Sequence, residues 1–217
     1  MEHPVVVVDA MGGDNAPEAP IKGAVAAARD LGVGVCLVGD EVRIRQVLGM
    51  LDTPAAELVR IRHAPTVIES GDQPVASVRR KRDSSMVVAL KMVADGEADA
   101  VVSAGNTGAL MAGGVLVVGR LPGVERPALS TVLPAMEGGG VLFLDAGANT
   151  DVRPEHLAQF AAMGATYVER VLGWAPKVAL LNIGTEEGKG NEAVRQAYQL
   201  LKSRQDFAGN IEARDVL

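Results

Sequence analysis

Residues 5–17 read VVVVDAMGGDNAP, and this stretch decides the fold. Four consecutive valines predict a buried strand, Val5–Asp9, and the two glycines that follow predict a tight loop. Pro17 suits the first turn of a helix, which we predict to run to Leu31 and to end before Gly32. A buried strand, a glycine loop and a helix in this order are typical of a parallel α/β sheet.

The same alternation continues along the 217 residues. Further strands are predicted at 33–38, 58–62, 100–103, 129–133, 141–144 and 178–181, and further helices at 40–50, 84–96, 107–118, 154–172 and 192–203. Residues 64–74 are predicted to be irregular, and a turn at 137–140 joins two of the strands. The pattern predicts one three-layer α/β/α domain with a mostly parallel sheet over residues 1–217. We expect this domain to be incomplete at its C-terminus, because the chain ends inside what resembles a further unit.

Composition excludes several classes of protein. Hydrophobic residues make up 48% of the chain, enough for a sizeable core, and the net charge of −6 argues against a nucleic-acid partner. The single cysteine, Cys36, lies in a predicted strand and is expected to be buried. The three histidines have no metal-ligand spacing, and we expect His156 to be a surface residue. With no uncharged apolar run of about 18 residues, we expect a soluble, cytoplasmic protein.

Four glycine-containing loops follow predicted strands, at 9–17, 103–108, 145–149 and 182–190. Each loop alone is more often an ordinary turn than a binding site. Because ligands bind outside the carboxyl ends of the strands in such sheets, we expect the four loops to line one crevice. The loop at 103–108 opens a helix, whose free N–H groups favour an anion. Asn149 either caps a turn or donates to an oxyanion.

The common nucleotide and nucleophile motifs are absent. Neither Gly-x-x-x-x-Gly-Lys-Ser/Thr nor Gly-x-Ser-x-Gly occurs, and Gly-x-Gly-x-x-Gly does not follow the first strand. A site without an obvious protein nucleophile suits a reaction in which a bound anion is itself the nucleophile. The protein then supplies positioning and charge stabilisation.

Five segments, in order along essentially the whole chain, resemble the bacterial phosphate acyltransferase family: Asp9–Pro17, Ser103–Met111, Glu125–Ala128, Leu144–Asn149 and Ala179–Glu187. The resemblance implies transfer of a fatty acyl group from acyl carrier protein to inorganic phosphate. The acyl phosphate product then serves a membrane glycerol-3-phosphate acyltransferase in phospholipid synthesis. It also implies a homodimer and a fold similar to phosphotransacetylase and isocitrate dehydrogenase. Family members continue beyond this chain, so the crevice is expected to be incomplete, and the basic cluster at 79–82 varies within the family.

On this resemblance, phosphate is expected at the loop that opens the helix near residue 107. The predicted phosphate-binding residues are Ser103, Gly105, Asn106, Thr107, Gly108 and Arg82. A phosphate oxygen attacks the thioester carbonyl, and neither a metal nor an organic cofactor is needed.

The predicted catalytic residues are Asn15, Asn106, Asn149 and Lys189. Asn15 or Asn149 would stabilise the oxyanion, and Lys189 or Arg82 would offset the charge of phosphate. We expect Asp9, Asp14 and Asp145 to orient the loops, since a carboxylate acting as a base would repel phosphate.

The basic cluster is expected to dock the acidic carrier protein through Arg79, Arg80 and Lys81; a solvated surface without a role is the alternative. We also expect the apolar helix at 107–118 to be buried or to lie at a subunit contact. Two alternative functions are a non-catalytic module that senses a phosphorylated metabolite and an oxidoreductase of related fold. The missing nucleotide motif argues against the oxidoreductase, whereas turnover separates the enzyme from the binding module.

Overall fold

The computed structural model describes residues 3–51, 53–136 and 139–216. They form two compact units that meet between Arg120 and Leu121 in the sequence. The prediction of one domain over residues 1–217 stays a prediction. The predicted turn at 137–140 lies partly outside the described residues.

The first unit is built on a four-stranded parallel sheet in the order β3-β2-β1-β4. Its elements are β1 (Val5–Asp9), α1 (Glu18–Leu31), β2 (Gly34–Gly39), α2 (Glu41–Met50), a 3₁₀ turn (Pro54–Leu58), β3 (Val59–His63), α3 (Pro74–Arg80), α4 (Ser85–Ala94), β4 (Ala100–Val102) and α5 (Thr107–Gly113), which continues as a π-helical turn (Gly114–Val118). Alternate residues of β1 point to opposite faces: Val8 packs in the cluster formed with α1 and α2, and Val7 packs with α4. This confirms the predicted three-layer arrangement.

Local signals explain the ends of these helices. Gly32 ends α1 in the left-handed conformation, with φ of 64°, as the sequence predicts. Asp40 caps α2 by accepting the Arg43 N–H, and Ser84 caps α4 by accepting the Val87 N–H. Helix α3 was not predicted, and it carries Arg79 and Arg80 of the basic cluster in its last turn.

The second unit contains two separate two-stranded sheets. Its elements are β5 (Ser130–Pro134), β6 (Gly140–Leu144), α6 (Pro154–Tyr167) with a π-helical turn (Val168–Leu172), β7 (Val178–Leu181), α7 (Glu192–Leu201), β8 (Phe207–Ile211) and a 3₁₀ turn (Ala213–Asp215). Strands β5 and β6 are antiparallel, because the few residues between them are too short for a parallel crossover. Strands β7 and β8 are parallel and are joined through α7. Strand β8 was not predicted.

The predicted apolar helix at 107–118 is only partly buried. Ala109 and Gly113 of α5 are buried, whereas Leu116 and Val118 in the following turn are exposed. Burial of this turn at a subunit contact stays a prediction. Within the part of the chain that the structure describes, no helix is both long and apolar enough to cross a membrane.

Candidate active site

The loops after β1 and β4 meet at the carboxyl edge of the parallel sheet, because these strands are neighbours. Ser103 Oγ donates to Asp9 Oδ2 at 2.7 Å, and Asp9 Oδ1 accepts the Met11 N–H at 3.2 Å. Ser103 Oγ in turn accepts the Gly105 N–H at 3.1 Å. Asp9 is buried and joins the two loops, as predicted for a carboxylate that orients them.

Glycine is required where the two loops touch. A Cβ on Gly12 would lie 2.6 Å from Asp9 Oδ2 and 2.9 Å from the Gly105 nitrogen. Gly13 has φ of 103° and lies against Ala104, so a side chain there would be strained as well as crowded. The two glycines therefore permit a close backbone approach between loops that are far apart in sequence.

The Asn106 amide is engaged inside the first unit. Its Oδ1 caps α5 by accepting the Ala109 N–H at 2.9 Å. Its Nδ2 lies within 3.2 Å of three carbonyl oxygens, those of Glu69, Ser70 and Asp72. Asn106 therefore positions residues 69–72 beside α5. Its predicted contact with phosphate stays a prediction.

Thr107 and Gly108 are exposed in the first turn of α5. A Cβ on Gly108 would lie 2.7 Å from Pro74 Cγ, so α5 packs closely against the beginning of α3. A side chain at Gly108 would therefore collide with the beginning of α3.

The basic cluster divides into two kinds of residue. Arg79, Arg80 and Arg82 are exposed, and Arg82 Nε donates to the Arg79 carbonyl at 3.2 Å. Lys81 instead points into the unit, with Nζ at 2.5 Å from Asp72 Oδ2 and at 2.9 Å from the Val67 carbonyl oxygen. Lys81 therefore packs against residues 67–72, and its role in carrier docking stays a prediction.

Asp72 is held in its charged form by these contacts. The Lys81 ammonium, helped by the Glu69 N–H, keeps the pKa of the Asp72 carboxyl below its usual range. Both side chains of the ion pair are about one third exposed, at 34% for Lys81 and 28% for Asp72. The charge of Asp72 is thus compensated locally.

In the second unit, Asp145 organises the loop that follows β6. Burial disfavours its charged form, but it accepts hydrogen bonds from the backbone of Leu129, Asn149 and Ala148 and from the Asn149 side chain. These four bonds outweigh burial and hold the pKa of Asp145 below its usual range. The prediction that Asp145 orients a loop matches this geometry.

Asn149 ties this loop to the segment that precedes β5. Its Nδ2 donates to the Pro127 carbonyl at 3.0 Å, and its Oδ1 lies 3.5 Å from Arg126 Nη1. Gln159 of α6 holds the same segment by accepting the Glu125 N–H and donating to the Gly123 carbonyl. Of the two roles considered for Asn149, the structure shows the turn-stabilising one, and the oxyanion contact stays a prediction.

His156 is a buried residue, contrary to our expectation of a surface position. Its Nδ1 accepts the Arg153 N–H at 3.1 Å, and its Nε2 lies 3.3 Å from Glu125 Oε2. Nε2 also lies 3.0 Å from Arg153 Nη2 and accepts a hydrogen bond from Arg153 Nε at 3.4 Å, so the imidazole is held between Arg153 and Glu125. A histidine in the first turn of a helix carried no sequence signal of this contact.

The remaining predicted residues are exposed. The Lys189 ammonium lies 4.0 Å from Glu186 Oε1, and the Lys189 carbonyl accepts a hydrogen bond from Asn182 Nδ2. The Asn15 side chain is exposed, and its carbonyl accepts the Ala19 N–H at the start of α1. Among the strands that the structure describes, only those before the loops at 9–17 and 103–108 belong to one sheet, and the expectation that all four loops line one crevice stays a prediction. Among residues 3–51, 53–136 and 139–216, no group of three or more His, Cys, Asp or Glu is arranged to hold a metal ion.

The α/β architecture is shared with solved enzymes of low sequence identity. A branched-chain phosphotransacylase from Enterococcus faecalis matches with a TM-score of 0.59 and 17% identity, over 95% of this chain and 67% of that one. A 4-hydroxythreonine-4-phosphate dehydrogenase from Burkholderia phymatum matches with a TM-score of 0.53 and 16% identity, over 96% and 74%. These likenesses define the fold class.

Sequence similarity is more specific. The chain belongs to the fatty acid synthesis protein family, whose model matches residues 5–217. A phosphate acyltransferase from Geobacillus thermodenitrificans is 51% identical over 98% of this chain and 64% of its own length. One from Desulforamulus reducens is 53% identical over 97% of this chain and 63% of its own length. The chain therefore spans slightly less than two thirds of these relatives.

Proposed function

We propose that this chain belongs to an enzyme that transfers a fatty acyl group from acyl carrier protein to inorganic phosphate. The observation that carries the proposal is family membership together with 51% and 53% identity to proteins named phosphate acyltransferase. The product, an acyl phosphate, is a donor for phospholipid synthesis. A membrane glycerol-3-phosphate acyltransferase is its proposed consumer.

The proposed reaction is a direct attack of phosphate on the thioester. A phosphate oxygen forms a bond to the carbonyl carbon, the carbon–sulfur bond breaks, and the proton of hydrogen phosphate ends on the carrier thiol. No acyl-enzyme intermediate is required, because the anion is itself the nucleophile. The protein contributes orientation and stabilisation of the oxyanion.

We place phosphate beside the contact between the loops after β1 and β4. Support comes from the exposed Thr107 and from the side-chain-free approach of Gly12 to Gly105. Ser103 and Met11 donate hydrogen bonds to the buried Asp9 carboxyl, and these bonds offset part of its repulsion of an anion there.

Two exposed cations are proposed to offset the charge of phosphate. Among the residues that the structure describes, the Arg82 guanidinium forms a hydrogen bond through Nε alone. The Lys189 ammonium lies 4.0 Å from Glu186 Oε1, its nearest described carboxylate. For the oxyanion we keep Asn15 and Asn149. Asn15 is supported by its exposed side chain, whereas the Asn149 amide would first have to leave Pro127 or Asp145.

The carrier is proposed to dock on Arg79 and Arg80. The chain has a net charge of −6, so an acidic partner needs a local basic surface, and both guanidinium groups are exposed. A cytoplasmic homodimer, with peripheral contact to the membrane where its product is used, completes the proposal.

The test is turnover by the purified protein with acyl carrier thioester and phosphate. We expect release of free carrier thiol, in equal amount to an acyl phosphate that mass spectrometry identifies directly. Replacing phosphate with sulfate should abolish both signals. Binding of phosphate without thiol release would support the alternative, a module that senses phosphorylated metabolites.

A further inference from the structure

A groove of about 560 Å³ runs along the outer side of α3. Its lining residues are Gln73, Pro74, Val75, Ala76, Arg79 and Arg80. Helix α3 buries Ser77 and Val78 against the first unit, and Val75 is 49% exposed on the groove side. The groove thus combines an apolar first turn with two arginines at the end of the helix.

The beginning of the groove adjoins the candidate active site. Pro74 Cγ lies 2.7 Å from the position that a Cβ on Gly108 would occupy, and Asn106 Nδ2 donates to the Asp72 carbonyl at 3.1 Å. Arg79 and Arg80 lie roughly 8–9 Å further along α3, at a rise of about 1.5 Å per residue. One end of the groove is therefore at the proposed phosphate loop, and the other end is positively charged.

The two arginines are available to an external anion. Neither guanidinium forms an ion pair with any residue that the structure describes. The nearby carboxylate of Asp72 is already engaged by Lys81. Val75 and Arg79, like Ala76 and Arg80, are four residues apart, so apolar and charged side chains share the same sides of the helix.

We propose that this groove binds the arm on which the acyl donor carries its thioester. This inference rests on the proposed function and names the part of the donor that the site recognises. A carrier-bound acyl group is attached through a long flexible pantetheine arm, joined to the carrier by a phosphodiester. Arg79 and Arg80 contact this phosphate group, and Pro74, Val75 and Ala76 contact the arm, so that the thioester reaches the loop at Gly108.

The test compares two small donors that carry the same acyl group, acyl-phosphopantetheine and acyl-pantetheine. The wild-type protein should use the phosphorylated donor at least about tenfold better in kcat/KM, as expected for hydrogen bonds to a charged group. The double variant Arg79→Ala/Arg80→Ala should lose most of this preference. The variant Arg43→Ala removes an exposed arginine of α2 and should keep it.

Equilibrium binding provides a readout that does not require turnover. Phosphopantetheine without an acyl group should bind the wild-type protein and Arg43→Ala alike, and the double variant at least about tenfold more weakly. The inference would be overturned if the double variant kept the wild-type preference for acyl-phosphopantetheine, or if it bound phosphopantetheine as tightly as the wild type. A rise in the KM for phosphate, with the donor preference intact, would instead assign the arginines to inorganic phosphate. If the proposed function itself fails, the carrier-bound donor will release no thiol, whatever the binding result.

Discussion

Ser103 Oγ lies 2.7 Å from Asp9 Oδ2, and this hydrogen bond joins two loops that are 94 residues apart in sequence. The same hydroxyl accepts the Gly105 N–H, so one side chain both links the loops and shapes the second of them. Gly12 lies directly beside this pair. The geometry of the candidate site therefore depends on a position where a side chain has no room.

Gly12→Ala should push the two loops apart. The new Cβ would lie 2.6 Å from Asp9 Oδ2, and relieving such overlap typically costs about 1–3 kcal/mol. The matched control is Gly23→Ala in the middle of α1, where a Cβ meets nothing within 4 Å and should stabilise by roughly 0.5–1 kcal/mol. Urea unfolding measures both changes, and phosphate turnover should fall only in Gly12→Ala. Wild-type kinetics in Gly12→Ala would remove this loop contact from the site.

Asn106→Asp should loosen residues 69–72. The substitution keeps the cap oxygen of α5 but replaces the amino group with an oxygen that faces the carbonyls of Glu69, Ser70 and Asp72. Hydrogen exchange of residues 69–72 should become faster. In the control, Asn191→Asp, the side chain only caps α7 through the Val194 N–H, so stability should be unchanged or slightly raised. Similar behaviour of the two variants would contradict the positioning role of Asn106.

Asp145 should make the free energy of unfolding depend on pH in the acidic range. Because its pKa is lower in the folded state, its contribution is present above the unfolded pKa of about 3.9 and is lost as the pH falls through the folded pKa. Asp145→Asn should lower the free energy of unfolding at pH 7 by roughly 1–3 kcal/mol, since an amide cannot accept all four hydrogen bonds. The difference from the wild type should shrink toward low pH. Asp151→Asn, at an exposed position, serves as the control, and a pH-independent difference for Asp145→Asn would be the contrary result.

The two halves of the basic cluster should respond differently to mutation. Lys81→Met removes the ion pair with Asp72, so the urea midpoint should fall while the salt dependence of carrier binding stays the same. Arg79→Glu/Arg80→Glu should leave stability unchanged and raise the KM for acyl carrier protein several-fold at low salt. At ~0.3 M salt this effect should largely disappear. The Debye length is then shorter than the roughly 8–10 Å found at 0.1–0.15 M salt, so the attraction between the arginines and an acidic carrier is screened more strongly. An unchanged carrier KM at low salt would place the docking surface elsewhere.

Strong local signals made much of the fold predictable. The valine run of β1, the proline before α1 and Gly32 after it predicted those elements within about a residue. Helix α3 was missed because it has only seven residues and two buried ones, too few to show a helical period. Strand β8 was missed because Gly209 and Asn210 interrupt its apolar residues.

The candidate site was predictable in its loops and not in its contacts. Glycine clusters after β1 and β4 indicated where the backbones approach each other. The carbonyl groups that accept hydrogen bonds from the Asn106 amide lie 34 to 37 residues upstream. The carboxylate that pairs with the Lys81 ammonium, that of Asp72, lies nine residues upstream. Such pairings depend on how α3 and α5 pack, which a sequence motif does not encode. Asn106 and Lys81 thus form contacts within the protein that the sequence did not predict, while their roles toward phosphate and carrier stay predictions.

The position of β1 between β2 and β4 has a consequence for synthesis on the ribosome. The residues of β1 and its loop emerge well before Ser103, whose hydroxyl donates the hydrogen bond to Asp9. Until then, β2 can pair with one side of β1 while the other edge stays open. A nascent chain that stalls before residue 100 thus exposes an unpaired valine-rich edge, which is a target for chaperones and a hazard for aggregation.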